Sequence, residues 1–229
     1  MNKILLLFLL PTLTFAGNIG SNWAGAGIGY LTTGYEINSV DYDFEGFSYG
    51  LGTSFNVVPL NTYGVDISLG FSQASGLEGN SNVTNLLGAN ADIDSSAFTM
   101  NLRPFTKLGE SIIFADLGYS YAKSEVDVTG GTKTSNSSSA FAFGLGVEID
   151  LAPLTFTPSL TWIFNDTDAV NQFDLSEAIS LAIPLDYHIN EKIDISFSYN
   201  HVFYDSFNVG ANSIKPSSDS FLLGFKYKY

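Results

Sequence analysis

Phe221-Leu222-Leu223-Gly224-Phe225-Lys226-Tyr227-Lys228-Tyr229 closes the chain, and its alternation decides the fold. Phe221, Leu223, Phe225, Tyr227 and Tyr229 occupy every second position, with Leu222, Gly224, Lys226 and Lys228 between them. Successive side chains of a strand point to opposite faces, so one face is apolar and aromatic and the other carries two lysines. Such a strand suits a wall with hydrocarbon on one side and a polar interior on the other.

Nine earlier segments repeat this pattern, over residues 23–32, 45–57, 62–73, 95–105, 111–123, 139–150, 154–164, 172–183 and 192–203. In the second, Phe47, Tyr49, Leu51, Phe55 and Val57 alternate with Ser48, Gly50, Gly52 and Ser54. Each segment is near the ~9–11 residues that a tilted strand needs to cross hydrocarbon. The connections alternate in length: short near 59–61, 106–110, 151–153 and 185–191, long near 33–44, 74–94, 124–138, 165–171 and 204–216. Short turns on the periplasmic side and long loops outside predict an all-β, antiparallel, closed transmembrane β-barrel of ten strands, or of eight if two segments are misread. Both termini then lie on the short-turn side, which requires an even strand number. Two residues sit awkwardly in this pattern. Pro158 cannot donate a ladder hydrogen bond within the seventh strand. Glu177 falls on the lipid face of the eighth, if Ile179, Leu181 and Ile183 point outward.

The chain opens with Lys3, an apolar run from Ile4 to Leu10, and small residues around Thr14-Phe15-Ala16. This predicts a signal peptide over residues 1–16, cut after Ala16, and a barrel domain over 17–229. Removing Lys3 from the nine basic residues leaves eight against 23 acidic ones, a net charge of −15. That balance argues against nucleic acid as a partner. The chain has no cysteine, so disulfides and thiol chemistry are excluded. No Gly-rich phosphate loop joins a strand to a helix, and no cofactor is expected.

The terminal strand Phe221, Leu223, Phe225, Tyr227, Tyr229 resembles the C-terminal assembly signal of Gram-negative outer-membrane barrel proteins, with Tyr229 where that family commonly ends in Phe. Together with the leader and the alternation, the mature chain resembles the small porin-like or opacity-like barrels. The resemblance implies export to the bacterial outer membrane, contact with outer-membrane lipid and lipopolysaccharide, and insertion by the barrel assembly machinery. It implies a non-enzymatic role in envelope integrity or surface contacts.

Strand parity sends Asp66, Arg103, Asp116, Glu148, Asp194, Lys226 and Lys228 into the lumen, mostly toward its periplasmic half. Unpaired charges in a narrow interior are costly, so opposite signs are expected to pair and plug the barrel. The alternative is a narrow, cation-preferring channel with a charged constriction. Tyr30, Tyr49, Tyr63, Tyr119, Tyr121, Trp162, Tyr199 and Tyr227 face lipid near strand ends, where amphipathic rings prefer the headgroup level; they are read as an aromatic girdle. The outer loops are expected to be acidic, through Asp41, Asp43, Asp92, Asp94, Asp166 and Asp168, as a solvated surface rather than a metal site. A rim hydrolase is the remaining reading. His201 follows Tyr199-Asn200, so the Asp-x-His spacing of the omptin proteases is missing. Phe203 stands where the lipid A deacylases carry the Ser of a His-x-Ser pair. His201 is expected on the lipid face and His188 in a solvated turn, and no catalytic residue is assigned.

Overall fold

The computed structural model describes residues 18–60, 62–131, 133–166, 177–209 and 211–229. Its strands are β1 (Trp23–Ile37), β2 (Val40–Pro59), β3 (Tyr63–Gly79), β4 (Ala91–Leu108), β5 (Ser111–Val128), β6 (Thr134–Asp150), β7 (Leu154–Phe156), β8 (Ser159–Asp166), β9 (Glu177–His188), β10 (Ile193–Tyr204), β11 (Phe207–Val209) and β12 (Asn212–Lys228). One short helix, α1 (Ser81–Leu87), joins β3 to β4. Each strand pairs antiparallel with its neighbour, and β1 closes the ring on β12 from Trp23↔Lys228 to Ile37↔Ile214. The ring has ten wall positions, because β7 and β8 share one and β11 lies outside it. The leader lies outside the described residues, as do positions 172–176 of the expected eighth strand.

Alternation sorts the side chains as the sequence predicts. Ile28, Phe47, Leu51, Phe141, Leu223 and Phe225 are exposed on the outer surface. A belt of this size would not survive in water, and it fits lipid. The inner surface is lined with small and polar residues, among them Ser48, Ser72, Ser120, Ser180 and Ser198. Glycines make room where larger inward side chains cross the wall. A Cβ on Gly64 would collide with the Phe105 ring, and one on Gly146 with the Phe114 ring. On β1, a Cβ at Gly25 would lie 2.7 Å from the Phe225 carbonyl oxygen, so close approach to β12 there needs glycine.

Pro158 divides the seventh wall position without opening it. Its carbonyl accepts the Val147 N–H at 3.1 Å, and the Thr157 N–H donates to Pro184 O at 3.0 Å. Glu177 begins β9 opposite Phe164, at the outer end of the wall, where its carboxylate is exposed.

The long outer connections are much shorter than expected. β1 and β2 run on to a two-residue hairpin turn at Asn38-Ser39, with φ of 50° and 66°; such paired positive values match the strand twist. β3 continues to Gly79 and β4 starts at Ala91, so much of 74–94 is strand. Between them α1 is capped by Asn80, whose side chain accepts the Asn82 and Val83 N–H groups, and it ends at Gly88 with φ of 73°. β5 reaches Val128 and β6 starts at Thr134. The strands outlast the expected limits because their polarity inverts above the membrane. Here the inward strand residues are apolar: Leu31, Phe44, Leu77, Ile93 and Val126 form a buried cluster with Val83 of α1. The outward ones are acidic.

Candidate functional site: the closed lumen

At the end that carries both termini and the short turns, the inward charges form a bonded layer. Lys226 Nζ lies 2.9 Å from both carboxylate oxygens of Asp186, and both residues are fully buried. The Ser196 hydroxyl donates to the same carboxylate. The Arg103 guanidinium grips Asp116 with two bonds, Nε–Oδ1 at 2.7 Å and Nη2–Oδ2 at 3.0 Å. It also lies 4.5 Å over the Phe114 ring. Asp194 sits between Lys228 Nζ at 3.1 Å and His188 Nδ1 at 2.7 Å. Lys226 stands 5.2 Å over the inward-facing Trp23 ring. A planar fork answered by a carboxylate is the strong form of such a bond, and burial makes breaking it expensive.

A strap made of the residues before β1 covers this layer. Asn18 Nδ2 donates to Asp194 Oδ2 at 2.6 Å, the Ile19 N–H to Glu148 Oε2 at 3.1 Å, and the Gly20 N–H to Asp66 Oδ2 at 2.8 Å. The Ile19 side chain packs with Phe105 and Phe114. A vestibule of about 290 Å³ lies beside the strap, lined by Lys107, Glu110, Glu148, His188 and Lys228.

Above the ionic layer lies a cavity of about 100 Å³ with a mixed polar and apolar lining. Arg103, Asp116 and Trp23 border it, with Ser68, Thr99, Asn101, Ser120 and Thr161 along its wall. It is large enough for a small cluster of waters. Ala97, Ala122 and Ala140 pack with Ile163, which lines the outer part of the cavity together with Asn165 and Tyr204; the apolar cluster around Phe44 and Leu77 fills the outer end on the β1–β5 side.

The outward face of the upper wall is a carboxylate surface. Cross-strand partners run Glu45↔Glu78, Glu78↔Asp92 and Asp92↔Asp127, with Asp94↔Glu125 beside them. Burial first, then the carboxylates of Asp41, Glu45 and Asp219, push the Asp43 carboxyl above its ordinary value. Lys133 bonds Glu125 at 2.5 Å and holds that carboxyl below its ordinary value. Asp41, Asp43, Asp92 and Asp94 thus belong to strands and not to loops. Asp166 ends β8, and Asp168 lies outside the described residues. Among the described residues no three His, Asp or Glu side chains converge as a metal would require.

Each inward residue singled out in the sequence, Asp66, Arg103, Asp116, Glu148, Asp194, Lys226 and Lys228, lies in or beside the ionic layer. The structure adds Asp186, the fully buried partner of Lys226. It falls in the short connection expected near 185–191; carrying the parity of Ser180 and Ala182 past the expected end of the strand would have found it. His188 is not solvated as expected: it ends β9, half-buried, with Nε2 2.7 Å from Thr155 Oγ1. Tyr30, Tyr49, Tyr63, Tyr121, Trp162 and Tyr227 are exposed on the outer surface, and Tyr119 and Tyr199 share their faces at lower exposure. Phe221, Leu223, Phe225, Tyr227 and Tyr229 are exposed as well. His201 lies on the outward face, and its Nδ1 is 2.7 Å from Asp219 Oδ1, to which the Tyr199 hydroxyl donates at 2.6 Å.

Residues 4–158, more than half of the chain, match the family described as outer membrane protein beta-barrel domain. No curated protein sequence matches. Among solved structures, the outer membrane protease OmpT from Escherichia coli is similar at a TM-score of 0.55 and 9% identity, covering 95% of this chain and 99% of that one. The transport unit of the autotransporter AIDA-I from Escherichia coli is similar at 0.53 and 13% identity, covering 100% and 96%. Neisserial surface protein A is similar at 0.46 and 13% identity, covering 93% and 100%. These likenesses concern the fold alone.

Proposed function

From its membership of the outer membrane protein beta-barrel family, which places this chain in the bacterial outer membrane, we propose that it is a closed, non-enzymatic barrel serving envelope integrity and contacts at the cell surface. The observation that carries this reading is the layered filling of the lumen. Going outward, the strap, the Arg103–Asp116 and Lys226–Asp186 pairs, the small cavity and the Phe44–Leu77 cluster follow one another along the axis. A narrow cation channel would need Asp66, Arg103, Asp116 and Glu148 to line water; here Asp116 pairs with Arg103, and strap N–H groups bond one oxygen each of Glu148 and Asp66. In this reading the ionic layer is a rigid plug.

The rest of the surface divides by its surroundings. Tyr30, Tyr49, Tyr63, Tyr119, Tyr121, Trp162, Tyr199 and Tyr227 serve as the girdle at the headgroups. The strand from Phe221 to Tyr229 is what the assembly machinery reads. The acidic upper wall meets the lipopolysaccharide layer and whatever approaches from outside. His201 and Asp219 form an imidazole–carboxylate pair, but on the lipid side of the wall, so it is assigned to the interface and not to hydrolysis.

Complementation of a deletion strain tests this, with resistance to detergent and bile as the readout. The triple variant Glu78→Gln, Asp92→Asn, Asp127→Asn is expected to lose function while still reaching the outer membrane, and His201→Ala to keep it. Loss of function and of a hydrolytic activity in His201→Ala would replace this reading with a rim enzyme.

A further inference from the structure

We propose that the lumen chamber is an outward-facing binding site for a small, neutral, hydroxyl-bearing solute, the size of one sugar ring or less. The lining itself gives the direction of the mouth. Ser159, Thr161, Ile163 and Asn165, four successive inward positions of β8, all border the chamber, and together they span about 20 Å of strand. Asn165 is the last residue but one of β8, and Tyr204, which also borders the chamber, is the last of β10. Both stand at the outer end of the wall and are partly exposed. At the opposite end Arg103 and Asp116 form the floor, with the buried Lys226–Asp186 pair in the same layer. The Phe44–Leu77 cluster draws its side chains from β1 to β5 and from α1, and leaves the β8–β10 side to the chamber.

The chamber holds unanswered hydrogen-bonding capacity. The side chains of Ser68, Thr99, Asn101, Ser120 and Thr161 border it, and among the described residues none of the five makes a hydrogen bond to protein. Polar groups inside a protein are as a rule bonded, so these five serve whatever fills the space. Glycines on adjoining strands give them room. A Cβ on Gly70 would lie 2.6 Å from Thr99 Oγ1, one on Gly118 2.6 Å from Asn101 Oδ1, and one on Gly144 2.7 Å from Thr161 Oγ1.

The chemistry of the lining selects the solute. Four hydroxyls and one amide each donate and accept, which matches the hydroxyl groups of a polyol or a sugar. Such a solute repeats the bonds of the waters it displaces, the condition for displacing them without loss. The Arg103 charge is answered by Asp116 through two bonds, so the floor offers no free charge to an ion. Outside, the carboxylates of Glu78, Asp92 and Asp127 repel anions on approach. Trp23 and Ile163 supply apolar surface for the C–H face of a ring. The site rests on the closed lumen proposed above: the barrel becomes a cup facing the cell exterior, and not a pore.

The chain has no cysteine, so one introduced thiol reports on the chamber alone. Ala142→Cys places it on the chamber wall and keeps all five polar side chains. The protein, purified folded from outer membranes, is treated with aminoethyl methanethiosulfonate, and its fold is read from gel mobility of unheated samples. Labelling is expected to be slowed several-fold by Asn165→Trp at the outer mouth and unchanged by Lys107→Trp at the periplasmic vestibule. Ile163→Trp, a second outer plug, keeps the test valid if Asn165→Trp fails to assemble. Glucose is expected to protect saturably, slowing labelling about tenfold at ten times its half-protecting concentration. Gluconate, which carries a carboxylate on the same carbon frame, is expected to leave the rate unchanged. An unreactive thiol in the folded protein, a rate that follows Lys107→Trp and not the outer plugs, or glucose and gluconate acting alike would overturn the proposal. Conductance tests the closed lumen separately, so a silent bilayer alongside any of these results removes the site and leaves the closed barrel standing.

Discussion

Lys226 and Asp186 meet where neither touches solvent. Removing one member strands the other, and a lone buried charge costs far more than the pair contributes. Asp186→Ala is expected to lower stability by about 3–5 kcal/mol, read from urea unfolding of the refolded barrel. A change within error would mean that water reaches this layer. Asp43 tests the opposite situation, a carboxyl raised by burial and by its acidic neighbours. Its folded form binds the proton more tightly than the unfolded form. Stability from this group is therefore fully present below the unfolded value, about 3.9, and is lost as pH rises through the raised one. Asp43→Asn is expected to stabilise the protein at neutral pH and to remove this group's loss of stability as pH rises above about 3.9; an unchanged profile would remove Asp43 from the account. At this scale the sequence told which side of the wall each residue takes, but not its partner. His201 and Asp219 are 18 positions apart, and nothing local to either announces the other.

The strands carry two codes along one length. Inside the membrane the apolar residues face out, and above it they face in. Reading by the apolar outward face finds all ten wall positions and then stops at the boundary, which is why residues 33–44 and 124–138 read as loops. The barrel was legible because lipid imposes one rule on every strand; the upper wall was not, because water reverses the rule without breaking the period of two. The strap was hidden for a different reason, since Asn18-Ile19-Gly20 has no periodicity and is placed by carboxylates from distant strands. The row Glu45–Glu78–Asp92–Asp127 has a measurable consequence. Like charges directly opposite repel, so Asp92→Asn is expected to stabilise by about 0.2–1 kcal/mol, with the gain shrinking as salt rises. Destabilisation would show that the row is engaged by something cationic. At the other end of the molecule, β12 presents Phe221, Leu223, Phe225 and Tyr227 to lipid. Tyr229→Asp is expected to reduce the amount of assembled protein in outer-membrane fractions, and normal levels would argue against an assembly signal there.

The molecule as a whole is a closed barrel in the outer membrane with an acidic collar above it. Ring closure through β1 and β12 leaves no sheet edge within the wall, and a closed barrel resists denaturation by mild detergent. Unheated and boiled samples should therefore migrate differently in a denaturing gel. Among the described residues the lumen holds hydrogen-bonded charges below and apolar packing above, with the small chamber between. The decisive measurement is single-channel conductance of the refolded mature protein in a planar bilayer, with insertion verified independently. A silent bilayer is the result predicted here. Stable, cation-preferring steps would contradict it, because they would require the Arg103–Asp116 layer and the Phe44–Leu77 cluster to part around a continuous water path.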